Sequence, residues 1–445
     1  MASGKIGSDG LMTAFFDAGS CTALLEGEGA VSAAYGMAGG QGVYVVCQKG
    51  VAMGVEDISS CRRIQRLASK TGCPVVTFYD SPGLKLESGL GTLDAARRLT
   101  GSTAKLSGVV PQIAVVTGVC GATSSMAAAS ADLCIMAKEG RLFLTPPFLS
   151  AAAGEKKENA GGADSAVKAG VASAVADSAE DAARLAARLV ALLPRNNLAE
   201  VPCFEYEHSG AAFPAAYSAQ SAIDALADSQ SAVELFAGFG SGVTTALATV
   251  EGRTAGILAT GGQDVCMGYE CAAKAARFAR LCDAYSIPLV TVLNSGGFCV
   301  SSESDEAGTI REAARLASTF ADATCAKVAV LSGKTYGPLY AAMGSADLTI
   351  AMQGSVTAPV AATAAVSVLY KEELQESNKP VEAATAEAAK LYEEEVVSAK
   401  ALLKAGLADF VADGATVRGQ VAAALDILAT KRAQRMPKKH GNMPL

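Results

Sequence analysis

The sequence predicts an α/β protein made of one unit repeated in tandem. Two fifteen-residue stretches carry this prediction: GVCGATSSMAAASAD at 118–132 and GKTYGPLYAAMGSAD at 333–347. Each stretch follows an apolar, β-branched run, passes through small residues and continues as an Ala- and Met-rich segment. That order is typical of a strand, a tight turn and a buried helix. Equivalent points in the two halves stay about 214 to 217 residues apart, so we interpret the chain as a duplicated unit.

The first half contains the elements of this unit in order. Residues 43–47 have the length and β-branching of a strand. An amphipathic helix with apolar residues every three or four positions then runs from Ile58 to Gly72. A strand at 73–79 and a helix from about residue 90 come next, before the loop at 118.

The second half repeats this order at matching positions. The paired segments are VAMGVE at 51–56 with VCMGYE at 265–270, DSPG at 80–83 with NSGG at 294–297, and GTL at 91–93 with GTI at 308–310. Because 445 residues exceed one ordinary core, we predict two domains, 1–200 and 201–445.

Composition excludes several function classes. The net charge of −7 provides no basic face for nucleic acid. Apolar runs are broken before the ~18 residues that a membrane span needs, and no signal-peptide core is present. Most of the twelve cysteines lie in apolar runs and none forms a CxxC pair, so we expect reduced thiols and a cytoplasmic protein.

The two histidines, His208 and His440, are too few for a Ser-His-Asp triad or a histidine-based metal site. We therefore expect no metal, and chemistry based on backbone donors, a cofactor or carboxylates. Glycine and alanine loops that open helices present unpaired N–H groups, which can bind an oxyanion. The alternative for a single such loop is close packing of a helix on a sheet.

Each half offers two donor segments, which we place on neighbouring strands. We predict that their amides converge as an oxyanion hole in each half. The residues are Met53 and Gly54 with Ala122 and Thr123 in the first half, and Met267 and Gly268 with Gly337 and Leu339 in the second.

Several stretches resemble a known family. They include TGCPVVTFYDSPG at 71–83, VVPQIAVVTGVCGA at 109–122, AARFARLCDAYSIPLVT at 275–291 and the tail TKRAQRMPKKHGNMPL. The strand, turn and loop pattern resembles the crotonase-type fold. From about residue 15 onward the chain resembles the carboxyltransferase subunits of biotin-dependent acyl-CoA carboxylases and of sodium-pumping acyl-CoA decarboxylases.

The resemblance implies a tandem pair of crotonase-like domains, with the acyl-CoA held by 1–200 and biotin by 201–445. Carboxybiotin would come on a separate carrier protein, and its freed nitrogen would act as the base. Ala122 and Thr123 stand where the family has Gly-Gly. Gly337, Pro338 and Leu339 stand where it has Gly-Gly-Ala, and Pro338 has no N–H to donate.

Other candidates follow from these positions. The residues predicted to contact the CoA ester or biotin are Lys85, Gly121, Lys334 and Tyr336; Lys156 and Lys157 could also meet CoA phosphates, unless these lysines are ordinary surface residues. Glu56 and Glu270 are expected to interact with helix dipoles. Asp132 and Asp347 are expected to be structural caps or turn residues.

The predicted activity is carboxyl transfer between carboxybiotin and a short-chain acyl-CoA. The resemblance implies a homo-oligomer, a dimer or a trimer of dimers, working with a biotin carrier and with either a biotin carboxylase or membrane decarboxylase subunits. Two alternatives remain: a catalytically impaired scaffold of such a complex, and a crotonase-like hydratase or hydrolase.

Overall fold

The computed structural model describes residues 6–26, 28–146 and 161–433, with residues 437 and 442. The chain forms two compact units. One comprises Met1–Pro202 with Leu235–Phe239, and the other comprises Cys203–Glu234 with Gly240–Leu445. Both are mixed α/β structures built on a sheet.

The first unit has eight strands among its described residues, in the order β1-β2-β3-β4-β5-β6-β8, with β7 paired to β5. The strands are Thr22–Leu25 (β1), Val31–Ala38 (β2), Gln41–Gln48 (β3), Val75–Ser81 (β4), Gln112–Gly121 (β5), Leu133–Ala137 (β6), Arg141–Phe143 (β7) and Ala174–Ala176 (β8). The helices are Ser8–Phe15 (α1), Val55–Thr71 (α2), Leu90–Leu106 (α3), Thr123–Ala129 (α4), Ala163–Lys168 (α5) and Ala179–Leu192 (α6), with a 3-10 turn at Leu86–Ser88.

The second unit has a sheet of order β17-β15-β13-β12-β11-β10-β9 and a separate pair, β14-β16, within the part of the chain described. Its strands are Val233–Leu235 (β9), Val243–Val250 (β10), Arg253–Thr260 (β11), Leu289–Leu293 (β12), Lys327–Leu331 (β13), Lys334–Tyr336 (β14), Leu348–Met352 (β15), Val356–Ala358 (β16) and Phe410–Ala412 (β17). Its helices are Ala219–Leu226 (α7), Tyr269–Ala284 (α8), Ser302–Glu306 (α9), Thr309–Asp322 (α10), Gly337–Met343 (α11), Ala362–Leu369 (α12), Lys371–Glu376 (α13), Val381–Glu395 (α14), Ala399–Lys404 (α15) and Val417–Ile427 (α16).

The duplication extends to individual hydrogen bonds. Asp132 Oδ2 accepts from Gln112 N–H at 2.8 Å, and Asp347 Oδ2 accepts from Lys327 N–H at 2.8 Å. Each aspartate therefore ties the end of its helix segment to the start of β5 or β13. The two carboxylates are structural, as the sequence predicts.

A second repeated hydrogen bond fixes the segment that follows β3 in the first unit and the segment that follows β11 in the second. Ser81 Oγ donates to Val51 O at 2.8 Å, and Ser295 Oγ donates to Val265 O at 2.8 Å. These hydroxyls hold the segment before each predicted donor turn against the following strand end.

The predicted placement of the donor segments on neighbouring strands is wrong. The turn follows β3 and the loop follows β5, and β4 lies between these strands. In the second unit β12 separates β11 from β13, and the loop follows β14, which lies outside this sheet. Each crossover between parallel strands places the next strand one position further along the sheet, so two crossovers separate the turn from the loop.

One cysteine prediction is also wrong. Cys266 and Cys299 form a disulfide, with their Cα atoms 4.9 Å apart. The other ten cysteines form no disulfide, and eight of these are buried. Separately, no helix in the described part of the chain has both the length and the apolar character needed to cross a membrane.

Two glycines allow the closest packing beside the donor loops. A Cβ placed on Gly118 would lie 2.0 Å from Asp80 Oδ1, and one on Gly333 would lie 2.3 Å from Asn294 Oδ1. Only hydrogen fits at these positions, because the strand-end side chains press on the backbone there.

We predict that Gly118→Ala lowers the free energy of unfolding by about 1–3 kcal/mol, since the new methyl group overlaps the Asp80 carboxylate. Gly101→Ala is the matched control, because Gly101 lies inside α3 with nothing within 4 Å of its Cβ position. That control should stabilise the protein by roughly 0.5–1 kcal/mol. Urea unfolding measures both, and equal effects would contradict the packing argument.

Candidate active site

In the first unit, both amides of the predicted donor turn form hydrogen bonds within the protein. Met53 N–H donates to Gly83 O at 2.9 Å, and Lys85 N–H donates back to Met53 O at 2.9 Å. Gly54 N–H donates to Asp57 Oδ2 at 2.8 Å. The prediction that this turn presents free donors is therefore corrected, since both amides are occupied within the protein.

The equivalent turn of the second unit also occupies both of its amides, one of them with a weaker acceptor. Met267 N–H donates to Gly297 O at 2.9 Å, and Cys299 N–H donates to Met267 O at 3.1 Å. Gly268 N–H is directed at the Cys271 thiol, a weak acceptor that forms a hydrogen bond with it. Cys271 occupies the position that corresponds to Asp57, so no carboxylate reaches this amide.

The loop of the first unit begins α4 with a strained residue. Ala122 has φ 52° and ψ −129°, a region that side chains rarely adopt. Its N–H donates to Phe143 O at 3.1 Å and is not free. Thr123 is the first residue of α4, and such an amide has no partner inside its helix.

The loop of the second unit also contains a residue with positive φ, but its donors differ. Gly337 also has positive φ, 28°. Pro338 follows in the first turn of α11 and has no N–H. Leu339 is the third residue of α11, where amides likewise lack an intrahelical partner.

The two units thus differ in which loop residue can donate. In the first unit both turn amides are bonded to oxygen acceptors, and Thr123 of the loop supplies an amide without a partner inside its helix. In the second unit Pro338 removes the equivalent loop donor, and the Leu339 amide follows it. The Gly268 amide of the second turn is bonded only to the weak Cys271 acceptor.

A small cavity brings together the turn and loop of the first unit. It is lined by Met53, Leu84 and Thr123, with apolar side chains of α2 and α3. Its volume is about 10 Å³, close to the minimum for one water molecule. The turn and loop therefore meet, and the space directly between them admits no acyl group in this conformation.

The remaining predicted contact residues lie around these segments. Lys85 is exposed, and its stem passes beside Gly54. Gly121 is buried at the end of β5, whereas Lys334 and Tyr336 are half-buried in β14. Burial raises the pKa of the Tyr336 hydroxyl above its ordinary value, so it stays protonated at neutral pH.

Other sequence candidates have simpler outcomes. Glu56 and Glu270 lie in the first turns of α2 and α8, where a carboxylate is stabilised by the helix dipole. Lys156, Lys157 and His440 lie outside the described residues.

Sequence reasoning missed two features of the turns. Asp57 was missed, although an acidic residue three positions after Gly54 is a helix N-terminus signal. The Cys266–Cys299 pair was also missed, because cysteines 33 residues apart carry no local signal for pairing.

A larger cavity of the first unit lies elsewhere and is lined by none of the predicted site residues. It measures about 780 Å³ and is lined by Asp80, Glu139, Asp177 and Glu180 against one lysine, Lys49. This acidic lining does not suit the phosphates of a CoA ester. Within 6–26, 28–146 and 161–433, no group of three His, Cys, Asp or Glu residues could hold a metal ion.

Comparison with known proteins identifies the family. The model of the carboxyl transferase domain matches residues 7–443. The chain belongs to this family. The crotonase-like folds of its structural relatives agree with the predicted duplication of a crotonase-like α/β unit.

The similarity to individual relatives extends over most of the chain. The methylmalonyl-CoA carboxyltransferase 12S subunit of Propionibacterium freudenreichii subsp. shermanii is 30% identical over 84% of this chain and 75% of its own. The methylmalonyl-CoA decarboxylase subunit alpha of Veillonella parvula is 30% identical over 95% and 86%. The crystal structure of a transcarboxylase 12S hexamer with methylmalonyl-CoA bound has a TM-score of 0.92 at 28% identity, covering 99% of this chain and 93% of that one.

We predict that Ala122→Gly raises the free energy of unfolding by about 1 kcal/mol, because glycine adopts positive φ without strain. The control is Ala127→Gly in the neighbouring helix, which should destabilise by about 1 kcal/mol. Thermal or urea unfolding measures both variants. A less stable Ala122→Gly variant would show that the loop is not strained.

A buried lysine in α8 gives a pH-dependent prediction. Lys274 is 1% exposed, its Nζ has no hydrogen-bond partner among the described residues, and burial lowers its pKa to about 8. The unfolded chain keeps this proton up to about pH 10.4. The free energy of unfolding of the wild-type protein should therefore rise from about pH 8 to about pH 10.4, because Lys274 is protonated there only in the unfolded chain.

Lys274→Met should remove that rise and stabilise the protein at pH 7 by up to about 3 kcal/mol. Lys70→Met, at an exposed lysine of α2, should leave the pH profile of wild type intact. Urea unfolding from pH 6 to 10.5 measures these differences. A Lys274→Met variant that is less stable at pH 7 would contradict the unpaired state of this amine.

Proposed function

We propose that this chain transfers a carboxyl group between carboxybiotin, carried on a separate protein, and a short-chain acyl-CoA. The observation that carries the proposal is the family match across 7–443, joined with the loop amides of Thr123 and Leu339, which have no partner inside their helices. The relatives named above act on methylmalonyl-CoA. We take methylmalonyl-, propionyl-, malonyl- and glutaconyl-CoA as the candidate substrates.

The first domain, residues 1–200, binds the CoA thioester. Thr123 N–H donates to the thioester oxygen and strengthens this bond as negative charge develops there during carboxyl transfer. Such a donor contributes about 2.7–4 kcal/mol to transition-state stabilisation in enzymes of known mechanism. Met53, Gly54, Gly121 and Ala122 shape this donor site.

The second domain, residues 201–445, binds biotin. Gly268 N–H and Leu339 N–H donate to the ureido oxygen, and Met267, Lys334, Tyr336 and Gly337 surround it. The donor set fits a group that presents a carbonyl-type acceptor. Carboxybiotin supplies the carboxyl group and, once decarboxylated, a basic nitrogen, which agrees with a chain that has only two histidines.

The surroundings of the site complete the proposal. Lys85, exposed beside the first turn, meets the CoA phosphates. The chain works in the cytoplasm as a homo-oligomer with a biotin carrier protein and with biotin carboxylase or membrane decarboxylase subunits. The transcarboxylase 12S structure that it resembles is a hexamer.

A second candidate function is a scaffold that docks the carrier without catalysis. Pro338 favours it, because the loop of the second domain lacks the donor that its counterpart Thr123 supplies. A scaffold would have no affinity for acyl-CoA esters. Isothermal titration with the four esters distinguishes the two functions, since the transferase binds at least one of them.

We predict that Gly268→Pro lowers the rate of carboxyl exchange between acyl-CoA and biotin by 10²- to 10³-fold, because it removes one oxyanion donor. The backbone of Gly268 has φ −86°, close to the fixed value of proline. Gly268→Ala is the matched control, since nothing lies within 4 Å of its Cβ position and the N–H remains. Equal losses in both variants would rule out a donor role for this amide.

Restoring a backbone N–H in the second loop tests the same proposed donors. Pro338→Ala restores an N–H in α11, and we expect a higher kcat with free biotin. No exchange by the wild-type protein with any of the four esters would overturn the proposed function.

A further inference from the structure

The first unit contains a cavity that the proposed reaction does not use. It measures about 780 Å³, which is within the usual range of small-molecule sites. Its lining comes from the carboxyl ends of β3, β4 and β6, from β5, and from the starts of α1 and α6. Ligands of open α/β sheets bind at this edge, outside the carboxyl ends of parallel strands.

In the second unit a tyrosine of the protein occupies the equivalent place. Tyr217 lies two residues before the start of α7. Its hydroxyl donates to Thr260 O at 2.8 Å and also interacts with the Ser332 side chain. Thr260 pairs with the first residue of β10, as Gln48 pairs with the first residue of β2, so these two positions correspond. Ser332 corresponds to Thr117 by the pairing of the next two strands.

The first unit has no such tyrosine among its described residues. Gln48 and Thr117, the counterparts of the residues that Tyr217 contacts, both line the cavity. Ile6 stands two residues before α1, the position that Tyr217 has before α7. Ile6 also lines the cavity and has no polar group. The same place in the repeated fold is thus filled by a side chain in one unit and is a cavity in the other.

A buried amide donor faces this cavity. Gln48 is 5% exposed, and its Oε1 accepts from Asp80 N–H at 3.2 Å. Its Nε2 has no acceptor in the part of the chain that the structure describes. Leaving a buried donor unpaired is costly. The Gln48 side chain therefore calls for an acceptor oxygen from a ligand.

The opposite kind of partner is needed by a carboxylate of the same lining. Two of the lining carboxylates, Asp177 and Glu180, are already paired with basic residues. Glu139 is exposed and forms no ion pair within 6–26, 28–146 and 161–433. It is therefore placed to accept hydrogen bonds from a cationic group.

Two helix starts add donors to the cavity. α1 begins at Ser8 without a side-chain cap, and α6 begins at Ala179. Both residues line the cavity. Amides in the first turn of a helix lack an intrahelical acceptor and carry partial positive charge, which suits a carboxylate oxygen.

A ligand with only one kind of charge does not fit this lining. An anion would meet four carboxylates, and a simple cation would leave the Gln48 donor unpaired. A metal ion would find no group of three His, Cys, Asp or Glu ligands among the described residues. A zwitterion satisfies both the donors and the acceptors.

We propose that this cavity binds a free α-amino acid, whose ammonium group donates to Glu139 and whose carboxylate accepts from Gln48 Nε2 and the helix starts. There is room for a side chain as large as tyrosine, because Tyr217 occupies the equivalent place in the second unit. The proposal does not depend on carboxyl transfer, since the cavity contains none of the residues proposed for that reaction.

The first test measures binding to the full chain by isothermal titration and by ligand-detected NMR. The probes are L-tyrosine, tyramine, which lacks the carboxylate, and N-acetyl-L-tyrosine, which lacks the ammonium group; the other protein amino acids follow. We expect at least one amino acid to bind, and its decarboxylated and N-acetylated forms to bind roughly tenfold or more weakly. Absence of binding by every amino acid at millimolar concentration, or equal binding by the decarboxylated form, would overturn the proposal.

The second test locates the site with variants. Ile6→Tyr gives the first unit the residue that fills this place in the second, and it should abolish binding. Gln48→Leu and Glu139→Gln should each weaken binding roughly tenfold. Glu382→Gln, at an exposed carboxylate of α14 in the second unit, is the control and should bind as wild type does.

Wild-type affinity in the Ile6→Tyr variant would show that the ligand binds elsewhere and would overturn the proposal. Glu139→Gln changes an exposed side chain, so it decides the question if the variants at buried positions fail to fold. Loss of carboxyl exchange activity has no bearing on these outcomes, which separates this proposal from the proposed function.

Discussion

Each backbone amide at the repeated turns donates one strong hydrogen bond, and the fold decides whether the protein or a ligand receives it. The chain folds each turn by the same two bonds, through Met53 in one unit and Met267 in the other. These bonds fix the turns but consume the methionine amides. The amides of the next residues, Gly54 and Gly268, are bonded to the Asp57 carboxylate and to the weaker Cys271 thiol acceptor. The chemistry available to each unit follows from that allocation.

The two units share their structural hydrogen bonds but differ in the backbone amides that can donate to a ligand. Asp132 and Asp347 accept the same bond at the same distance, as do the partners of Ser81 and Ser295. The changes fall at the amides that face a ligand in the proposed function. Thr123 keeps an N–H where Pro338 has none. In the proposed function, this difference would let the two units bind different acceptors.

The sequence was sufficient for the fold class and the repeat, because both depend on local patterns that recur at a constant spacing. The helix that ends at Gly72 and the one that begins at Leu90 were predictable from apolar periodicity and glycine. The family was recognisable from segments such as AARFARLCDAYSIPLVT. Pro338 could also be read directly, because a missing N–H is a covalent property.

The state of the other donors could not be predicted in this way. Whether an amide is free depends on what lies opposite it, and Gly83, Phe143 and Gly297 are distant in sequence from the amides they accept. The order of strands in the sheet, which places β4 between the two donor strands, is likewise a tertiary property. The disulfide joins two loops that only the parallel sheet brings together.

The most direct measurement is a crystal structure of the protein with a candidate acyl-CoA and biotin bound. The account predicts the thioester oxygen about 2.7–3.1 Å from Thr123 N and the ureido oxygen at the same distance from Gly268 N. Gly54 N should remain bonded to Asp57. A complex in which Gly54 N leaves Asp57 to bind the thioester, or in which neither ligand oxygen lies near Thr123 and Gly268, would contradict it.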